Sequence, residues 1–197
     1  MNIDQIPVTV TQSAQLSEIL LTNKLTVATA ESCTGGGVAH ALTSIPGCSA
    51  WFELGMVTYS NRMKECFLGV KPSLLSEFGA VSEAVVEAML AGLLEQSQAN
   101  IGVAVSGIAG PGGGTLEKPV GTVCFAWGGS VTRVQEKAVA FGVEASLGSS
   151  SLMRPSSKST TCFFTGDRAE VRSKAVDVAL SGLLEMAEQL RVEKNTV

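Results

Sequence analysis

The chain has 197 residues and a formal net charge of −4, and charged residues make up 16% of it. A chain of this length can bury one substantial core, so we expect a single domain spanning 1–197. No cluster of lysine and arginine stands out, which argues against nucleic acid as a partner.

The predicted elements alternate between helices and strands. Leu16, Ile19 and Leu20 recur at helical spacing and predict a helix over 11–24, and β-branched residues then predict a strand over 25–30. The remaining patterns predict, in chain order, a helix over 33–45, a strand over 50–60, helices over 61–70 and 81–97, a strand over 100–107, a glycine loop over 108–119, strands over 120–127 and 132–141, and a helix over 166–191. This alternation predicts a layered α/β domain.

One segment near the C-terminus is irregular. Residues 142–160 are rich in serine, show little periodicity and join two strand-like segments, so we expect a long mobile excursion. The helix that follows has a clear start signal, because Asp167 can cap it and Glu170 stands three residues further on.

Composition also bears on compartment and assembly. The five cysteines form no CxxC pair, so we expect neither a disulfide framework nor a zinc site. The chain shows no signal-peptide pattern and no apolar run long enough to cross a bilayer, which predicts a cytoplasmic protein without membrane contact. A charged fraction of 16%, against roughly 25% in average soluble domains, predicts surface buried in a homo-oligomer, with a dimer favoured.

The stretch ATAESCTGGG, residues 28–37, contains three candidate nucleophiles. A histidine base is disfavoured for them, since His40, the one histidine, lies seven residues after Cys33, which is about 10 Å along a helix. Backbone N–H groups at this strand-to-helix turn could bind an anion or an oxyanion beside Ser32. The alternative is simple capping by Ser32 and Thr34. Glu31 either positions the turn or pairs with a cation.

A serine without a histidine needs another base, and lysine is the usual one. Lys64 and Tyr59 follow an apolar strand, and functional sites assemble at strand ends of α/β sheets. The phenol of Tyr59 could relay a proton or hold the lysine in place. The alternative is that Lys64 is solvated and Tyr59 only packs.

Two further features are candidates for ligand binding. The stretch SGIAGPGGG, residues 106–114, matches no nucleotide-binding fingerprint and is either a flexible connection or a backbone nest near a ligand, with the hydroxyl of Ser106 at the strand end. Arg168 follows the predicted cap, where a cation opposes the helix dipole. An anionic ligand group or a salt bridge to Glu170 or Asp167 would offset that cost.

Six motifs in this order resemble the CinA carboxy-terminal domain family, the nicotinamide-nucleotide amidases: TVATAESCTGG, VTYSNRMKECFLGV, GAVSEAVVEAM, SGIAGPGGG, KPVGTV and FTGDRAEVR. The resemblance covers the chain from about Ser17 to Leu190. It implies a three-layer α/β/α sandwich. It also implies an amidase that converts nicotinamide mononucleotide and water to nicotinate mononucleotide and ammonia, without a metal or a cofactor.

The resemblance also implies roles for particular residues. Ser32 would be the nucleophile, Lys64 the base, and Tyr59 would assist. The remaining candidates would bind the substrate. They are Cys33, Thr34, Gly35 and Gly36, whose first backbone N–H groups would hold the oxyanion, Ser106 and Gly107 at the second glycine motif, and Arg168, which would contact the nucleotide at its phosphate.

This chain departs from the family where Arg62 and Met63 replace a common Glu-Ala pair beside the candidate base, and where 142–160 lengthens a connection near Arg168. Two alternative functions stay open: a non-catalytic domain that binds pyridine nucleotides and regulates a partner, and an amidase for another small amide. Cys33 is a second candidate nucleophile.

Overall fold

The computed structural model describes residues 8–129 and 156–194. Within these ranges the chain forms six helices and five strands. The helices are α1 (Val8–Asn23), α2 (Gly37–Thr43), α3 (Asn61–Leu68), α4 (Pro72–Phe78), α5 (Glu83–Ser97) and α6 (Arg168–Lys194), and the strands are β1 (Val27–Glu31), β2 (Phe52–Val57), β3 (Ile101–Gly107), β4 (Thr122–Gly129) and β5 (Ser156–Phe163).

The five strands form one mixed sheet in the order β2-β1-β3-β4-β5. β1 lies parallel to β2 and β3, whereas β4 runs antiparallel to β3 and β5 antiparallel to β4. The carboxyl ends of β1, β2 and β3 therefore share one edge of the sheet. The connections that enter and leave β2 run on opposite faces, and such crossovers leave a crevice at the carboxyl ends of the strands.

Two hydrophobic cores cover the two faces of the sheet. Residues of β3 alternate between them: Val103 and Val105 pack with α1, α2 and α6, whereas Ala104 packs with α3 and α5. This alternation follows from the strand period of two, which sends successive side chains to opposite faces. The result is an α/β/α sandwich, and it confirms the layered α/β fold expected from the sequence.

Most predicted elements are present with shifted ends. Residues 33–36 form a turn before α2 and not its first helical turn, and a short 3₁₀ turn over Cys48–Ala50 precedes β2. The sequence prediction missed α4, although Pro72 lies in its first turn, where proline is favoured.

The serine-rich segment is only partly described. Residues 156–160, predicted as the end of the excursion, belong to β5 and pair with β4, so that boundary was wrong. Alternate residues of β5 bond across to α5, where Ser159 and Thr161 both donate to Glu83, which explains why a polar sequence forms an edge strand. The predicted strand over 132–141 and the remainder of the excursion, 142–155, lie outside the described residues.

No helix within 8–129 and 156–194 combines the length and apolar character needed to cross a membrane.

Candidate active site

Ser32 and Lys64 meet at the carboxyl edge of the sheet. Ser32 directly follows β1, and its backbone N–H donates to the carbonyl of Val105 at 3.0 Å, which keeps this residue in line with β3. The N-cap Ser60 starts α3 and places Lys64 at the end of its first turn. The Nζ atom of Lys64 lies 3.2 Å from Oγ of Ser32. Two residues that are distant in sequence are therefore within hydrogen-bonding distance.

The environment of Lys64 favours a neutral amine. The side chain is 1% exposed, and burial lowers its pKa from the usual 10.5, partly opposed by the nearby Cys33. Its Nζ also lies 3.0 Å from the carbonyl oxygen of Thr58 and 3.3 Å from that of Tyr59. A neutral amine has two N–H donors and one lone pair. Since the two carbonyls can only accept, a neutral Lys64 would donate to both and offer its lone pair to the hydroxyl of Ser32.

Glu31 shapes the turn between β1 and α2. Its buried carboxylate accepts hydrogen bonds from the backbone N–H groups of Gly36 at 3.0 Å, Val38 at 3.1 Å and Ala39 at 2.8 Å. These are the N–H groups that a helix start leaves without intrahelical partners. Of the two roles the sequence left open for Glu31, the structure shows the positioning of the turn.

Gly35 and Gly36 make the turn possible, because their φ values of 62° and 91° are strained for other residues. The N–H of Gly35 donates to the carbonyl of Ser32 at 3.0 Å, and the N–H of Gly36 to Glu31. Both N–H groups are thus engaged. Among the first backbone donors after Ser32, those of Cys33 and Thr34 are the better candidates for holding an oxyanion.

Cys33 is a poor alternative nucleophile. Its buried position raises the pKa of the thiol to about 11, although the backbone N–H groups of Cys33 and Thr34 act in the opposite direction. At pH 7 only about 0.01% of such a thiol is ionised, and the thiolate is the reactive form. The hydroxyl of Ser32, with its amine partner, is better placed.

Tyr59 links the dyad of Ser32 and Lys64 to a neighbouring arginine. Its carbonyl holds Lys64, whereas its phenol, on a side chain 58% exposed, accepts a hydrogen bond from Nη2 of Arg168 at 3.1 Å. The expectation that the phenol contacts the lysine is therefore not met by this arrangement. Nη1 of Arg168 donates to the carbonyl of Gly110 at 2.8 Å.

A cleft of about 470 Å³ opens beside Arg168. Its walls come from the second glycine motif and from the start of α6: Ala109, Gly110, Pro111, Val120, Gly166, Asp167, Arg168 and Ala169. Oδ1 of Asp167 accepts from two N–H groups of α6, and Oε2 of Glu170 accepts from the N–H of Asp167, so the predicted capping box is confirmed. Within the described ranges neither carboxylate pairs with Arg168. The salt bridge considered as an explanation for this cation is not formed.

Ser106 and Gly107 serve packing in this structure. The hydroxyl of Ser106 is buried and donates to the carbonyl of Ala80 at 2.8 Å, and its contact with substrate stays a prediction. A Cβ on Gly107 would lie 2.7 Å from Cγ2 of Val123 and 3.0 Å from Sγ of Cys33. The glycine lets β4 and the turn after β1 approach β3 closely.

Sequence reasoning missed Arg172 and Thr58. Nη2 of Arg172 donates to the carbonyl of Thr34 at 2.8 Å and so ties α6 to the turn. The spacing could have found it, because Arg172 stands one helical turn after Arg168 and shares its face. Nothing in the pattern around Thr58 distinguishes it from a packing residue.

The fold and the site together define an α/β/α protein with a candidate serine–lysine hydrolase centre. The chain belongs to the CinA family, because the model of the CinA C-terminal domain matches residues 10–146. It is 45% identical over 180 residues to the nicotinamide-nucleotide amidohydrolase PncC of Pseudomonas putida, covering 91% of this chain and 97% of that protein.

Two other comparisons agree with this assignment. A CinA-like protein of Akkermansia muciniphila is 58% identical over 113 residues, which are 56% of this chain and only 27% of that longer protein. The crystal structure of a CinA superfamily protein from Klebsiella pneumoniae superposes with a TM-score of 0.76 at 33% identity, and the match covers 92% of this chain and 98% of that one.

Proposed function

We propose that this chain is a nicotinamide-nucleotide amidase, which converts nicotinamide mononucleotide and water to nicotinate mononucleotide and ammonia in pyridine nucleotide salvage. The observation that carries the proposal is the buried contact of 3.2 Å between Nζ of Lys64 and Oγ of Ser32. The similarity to the Pseudomonas putida PncC over nearly its whole length supports the choice of substrate.

The first half of the reaction forms an acyl-enzyme. Neutral Lys64 takes the proton of Ser32, whose Oγ attacks the carboxamide carbon. The N–H groups of Cys33 and Thr34 stabilise the oxyanion that forms. The C–N bond then breaks, the proton on Lys64 passes to the leaving nitrogen, and ammonia departs. The positive pyridinium of the substrate makes its carboxamide more electrophilic.

The second half is hydrolysis. Lys64, neutral again, takes a proton from water, and the resulting oxygen nucleophile attacks the ester carbon. The bond from that carbon to Oγ of Ser32 breaks, and Lys64 returns the proton to the serine. No step requires a metal or a redox cofactor.

The nucleotide part of the substrate is assigned to the cleft beside Arg168. Its guanidinium is oriented by Tyr59 and Gly110 and lines that cleft. A guanidinium is well suited to a phosphate because its donors are planar and its charge is permanent. Contacts from Tyr59 link this cation to Lys64, so Tyr59 joins phosphate binding to the catalytic dyad. Gly35 and Gly36 would line the approach to Ser32.

Ammonia release from nicotinamide mononucleotide tests the proposal. We expect Ser32→Ala to lose activity by about 10³-fold or more, whereas Ser17→Ala, a control at another buried serine, should keep it. Full ammonia release by Ser32→Ala would exclude the serine mechanism. Binding without turnover by the unaltered protein would support the regulatory alternative.

A second comparison tests the place of the phosphate. Arg168→Met should raise KM for nicotinamide mononucleotide by about tenfold or more, the loss of one charge-assisted contact. The same variant should leave KM for nicotinamide riboside, which lacks the phosphate, close to its unaltered value. Equal effects on both substrates would place the phosphate elsewhere.

The homo-oligomer, with a dimer favoured, and the cytoplasmic location stay predictions. Sedimentation equilibrium of the purified chain checks the first, and fractionation of the source cells checks the second.

A further inference from the structure

The hydroxyl of Thr58 is buried beside Ser32 and Lys64, and no residue that the structure describes bonds to it. The residue is 2% exposed, and its Oγ1 bonds to no residue within 8–129 or 156–194. Burying a hydroxyl without a partner costs free energy, and valine would fill the same space without that cost. A hydroxyl at this position therefore points to a group that it binds during the reaction.

The strand register places Thr58 next to Ser32. Glu31 and Val57 are partners in the parallel pairing of β1 with β2, and the N–H of Thr58 continues that pairing to the carbonyl of Glu31 at 2.9 Å. Ser32 and Thr58 are the residues that directly follow these two strands. They are therefore neighbours across adjacent strands.

The side chains of Ser32 and Thr58 also share a face. Glu31 and Val57 point toward α2, since the carboxylate bonds the start of that helix and a Cβ on Gly36 would lie 3.6 Å from Cγ2 of Val57. Successive side chains of an extended chain alternate. The next two side chains consequently point to the opposite face, where α3 supplies Lys64.

Lys64 already contacts both residues. Its Nζ lies 3.2 Å from Oγ of Ser32 and 3.0 Å from the carbonyl oxygen of Thr58. A water that reacts with the acyl-enzyme needs Lys64 as base and a second group that orients its other proton. The carbonyl of Thr58, which is engaged with Nζ, is a poor second group, whereas its hydroxyl can accept a hydrogen bond from the water.

We propose that the hydroxyl of Thr58 holds the hydrolytic water between Lys64 and the acylated Ser32. The proposal rests on the acyl-enzyme of the proposed function. Water gives one proton to Nζ and donates its other hydrogen to Oγ1 of Thr58, its oxygen bonds to the ester carbon, and Oγ of Ser32 leaves with the proton held by Lys64. Thr58 neither gains nor loses a proton overall.

Competition between water and hydroxylamine for the acyl-enzyme isolates this step. The unaltered protein turning over nicotinamide mononucleotide with hydroxylamine should yield both the nicotinate product and its hydroxamate. Their ratio depends only on how the acyl-enzyme divides between the two nucleophiles, whichever step limits the overall rate. Hydroxylamine, the stronger nucleophile, depends less on an orienting hydrogen bond.

Thr58→Val should raise the ratio of hydroxamate to acid by about tenfold, the effect of one lost hydrogen bond. Thr58→Ser keeps the hydroxyl and should leave the ratio near that of the unaltered protein. Thr122→Val, at another buried threonine of the sheet, is the matched control. The melting temperature of Thr58→Val should be unchanged or higher, because the variant removes a buried hydroxyl to which no described residue bonds.

An unchanged ratio of hydroxamate to acid in Thr58→Val, whatever its melting temperature, would overturn the proposal and leave Thr58 a packing residue. Failure of the proposed function would look different. In that case neither the unaltered protein nor any variant would yield hydroxamate. Ser32→Ala would then release as much ammonia as the unaltered protein, or the unaltered protein itself would release none.

Discussion

Replacing Glu31 by glutamine tests whether its carboxylate organises the turn that carries Ser32. Oε1 accepts from the N–H of Ala39, and Oε2 from those of Gly36 and Val38. Glutamine keeps the shape but has one oxygen and one NH₂ group. Whichever way the amide is turned, NH₂ opposes at least one backbone N–H. The less costly orientation places it against Ala39.

The expected loss follows from these contacts. One buried N–H is left unpaired, which costs about 1–3 kcal/mol, and two bonds to a charged acceptor become neutral bonds that are weaker by about 1 kcal/mol each. Glutamine also relieves part of the cost of burying a charge. We expect the free energy of unfolding to fall by about 2–4 kcal/mol, a sizeable part of the 5–15 kcal/mol typical of a domain.

Urea denaturation measures this loss, with the buried Trp51 and Trp127 as fluorescent reporters. With an m value of about 2 kcal/mol/M, the midpoint of Glu31→Gln should fall by about 1–2 M. Glu53→Gln, at an exposed glutamate of β2, should leave it unchanged. Activity of the folded variant should also fall, since the turn sets the position of Ser32.

A midpoint of Glu31→Gln within about 0.3 M of the unaltered protein, together with full activity, would refute this reasoning. It would mean that the turn keeps its shape without the carboxylate.

Four further predictions concern Lys64, the close packing at Gly107 and the contact of Arg172 with the turn after β1. Burial holds the pKa of Lys64 in the folded protein below its usual 10.5. Unfolding therefore takes up a proton at pH values between that lowered pKa and 10.5, and the free energy of unfolding should rise with pH over this interval. Lys64→Met should abolish that part of the rise in urea titrations at several pH values. In the proposed mechanism the neutral amine of Lys64 is the active form, so kcat/KM should rise with pH through its lowered pKa. A flat profile would argue against a general base. Gly107→Ala should destabilise the protein by about 1–3 kcal/mol in urea, because its Cβ would lie 2.7 Å from Cγ2 of Val123, and an unchanged midpoint would contradict this. Arg172→Met should lower kcat about tenfold by freeing the carbonyl of Thr34, with little change in KM; an effect on KM alone would indicate substrate contact.

Local patterns in the sequence determined most of the elements. The β-branched run before Ser32 predicted β1, and the pattern over 81–97 predicted α5, whose N-cap Ser82 accepts a hydrogen bond from the N–H of Val85. Asp167 and Glu170 likewise form the box that their spacing predicted. Such signals act between residues within a few positions, so they can be read without knowing the rest of the molecule.

The motifs also named the candidate site, through the likeness to the CinA family. They single out Ser32, Lys64 and Arg168, and the structure places these residues along one edge of the sheet. Local patterns alone did not decide whether Lys64 is buried or solvated. Neither could they tell which group of Tyr59 faces the lysine.

Only the tertiary structure decided those points, because they depend on contacts between segments distant in sequence. The parallel pairing of β1 with β2 brings Ser32 beside Thr58, and the packing of α3 against the same face buries Lys64 and lowers its pKa. The folded chain also gives the hydroxyl of Ser106 a partner that the sequence did not predict, the carbonyl of Ala80. Periodicity states which face a side chain takes, but the neighbour it meets there, and hence its chemistry, is set by the whole folded chain.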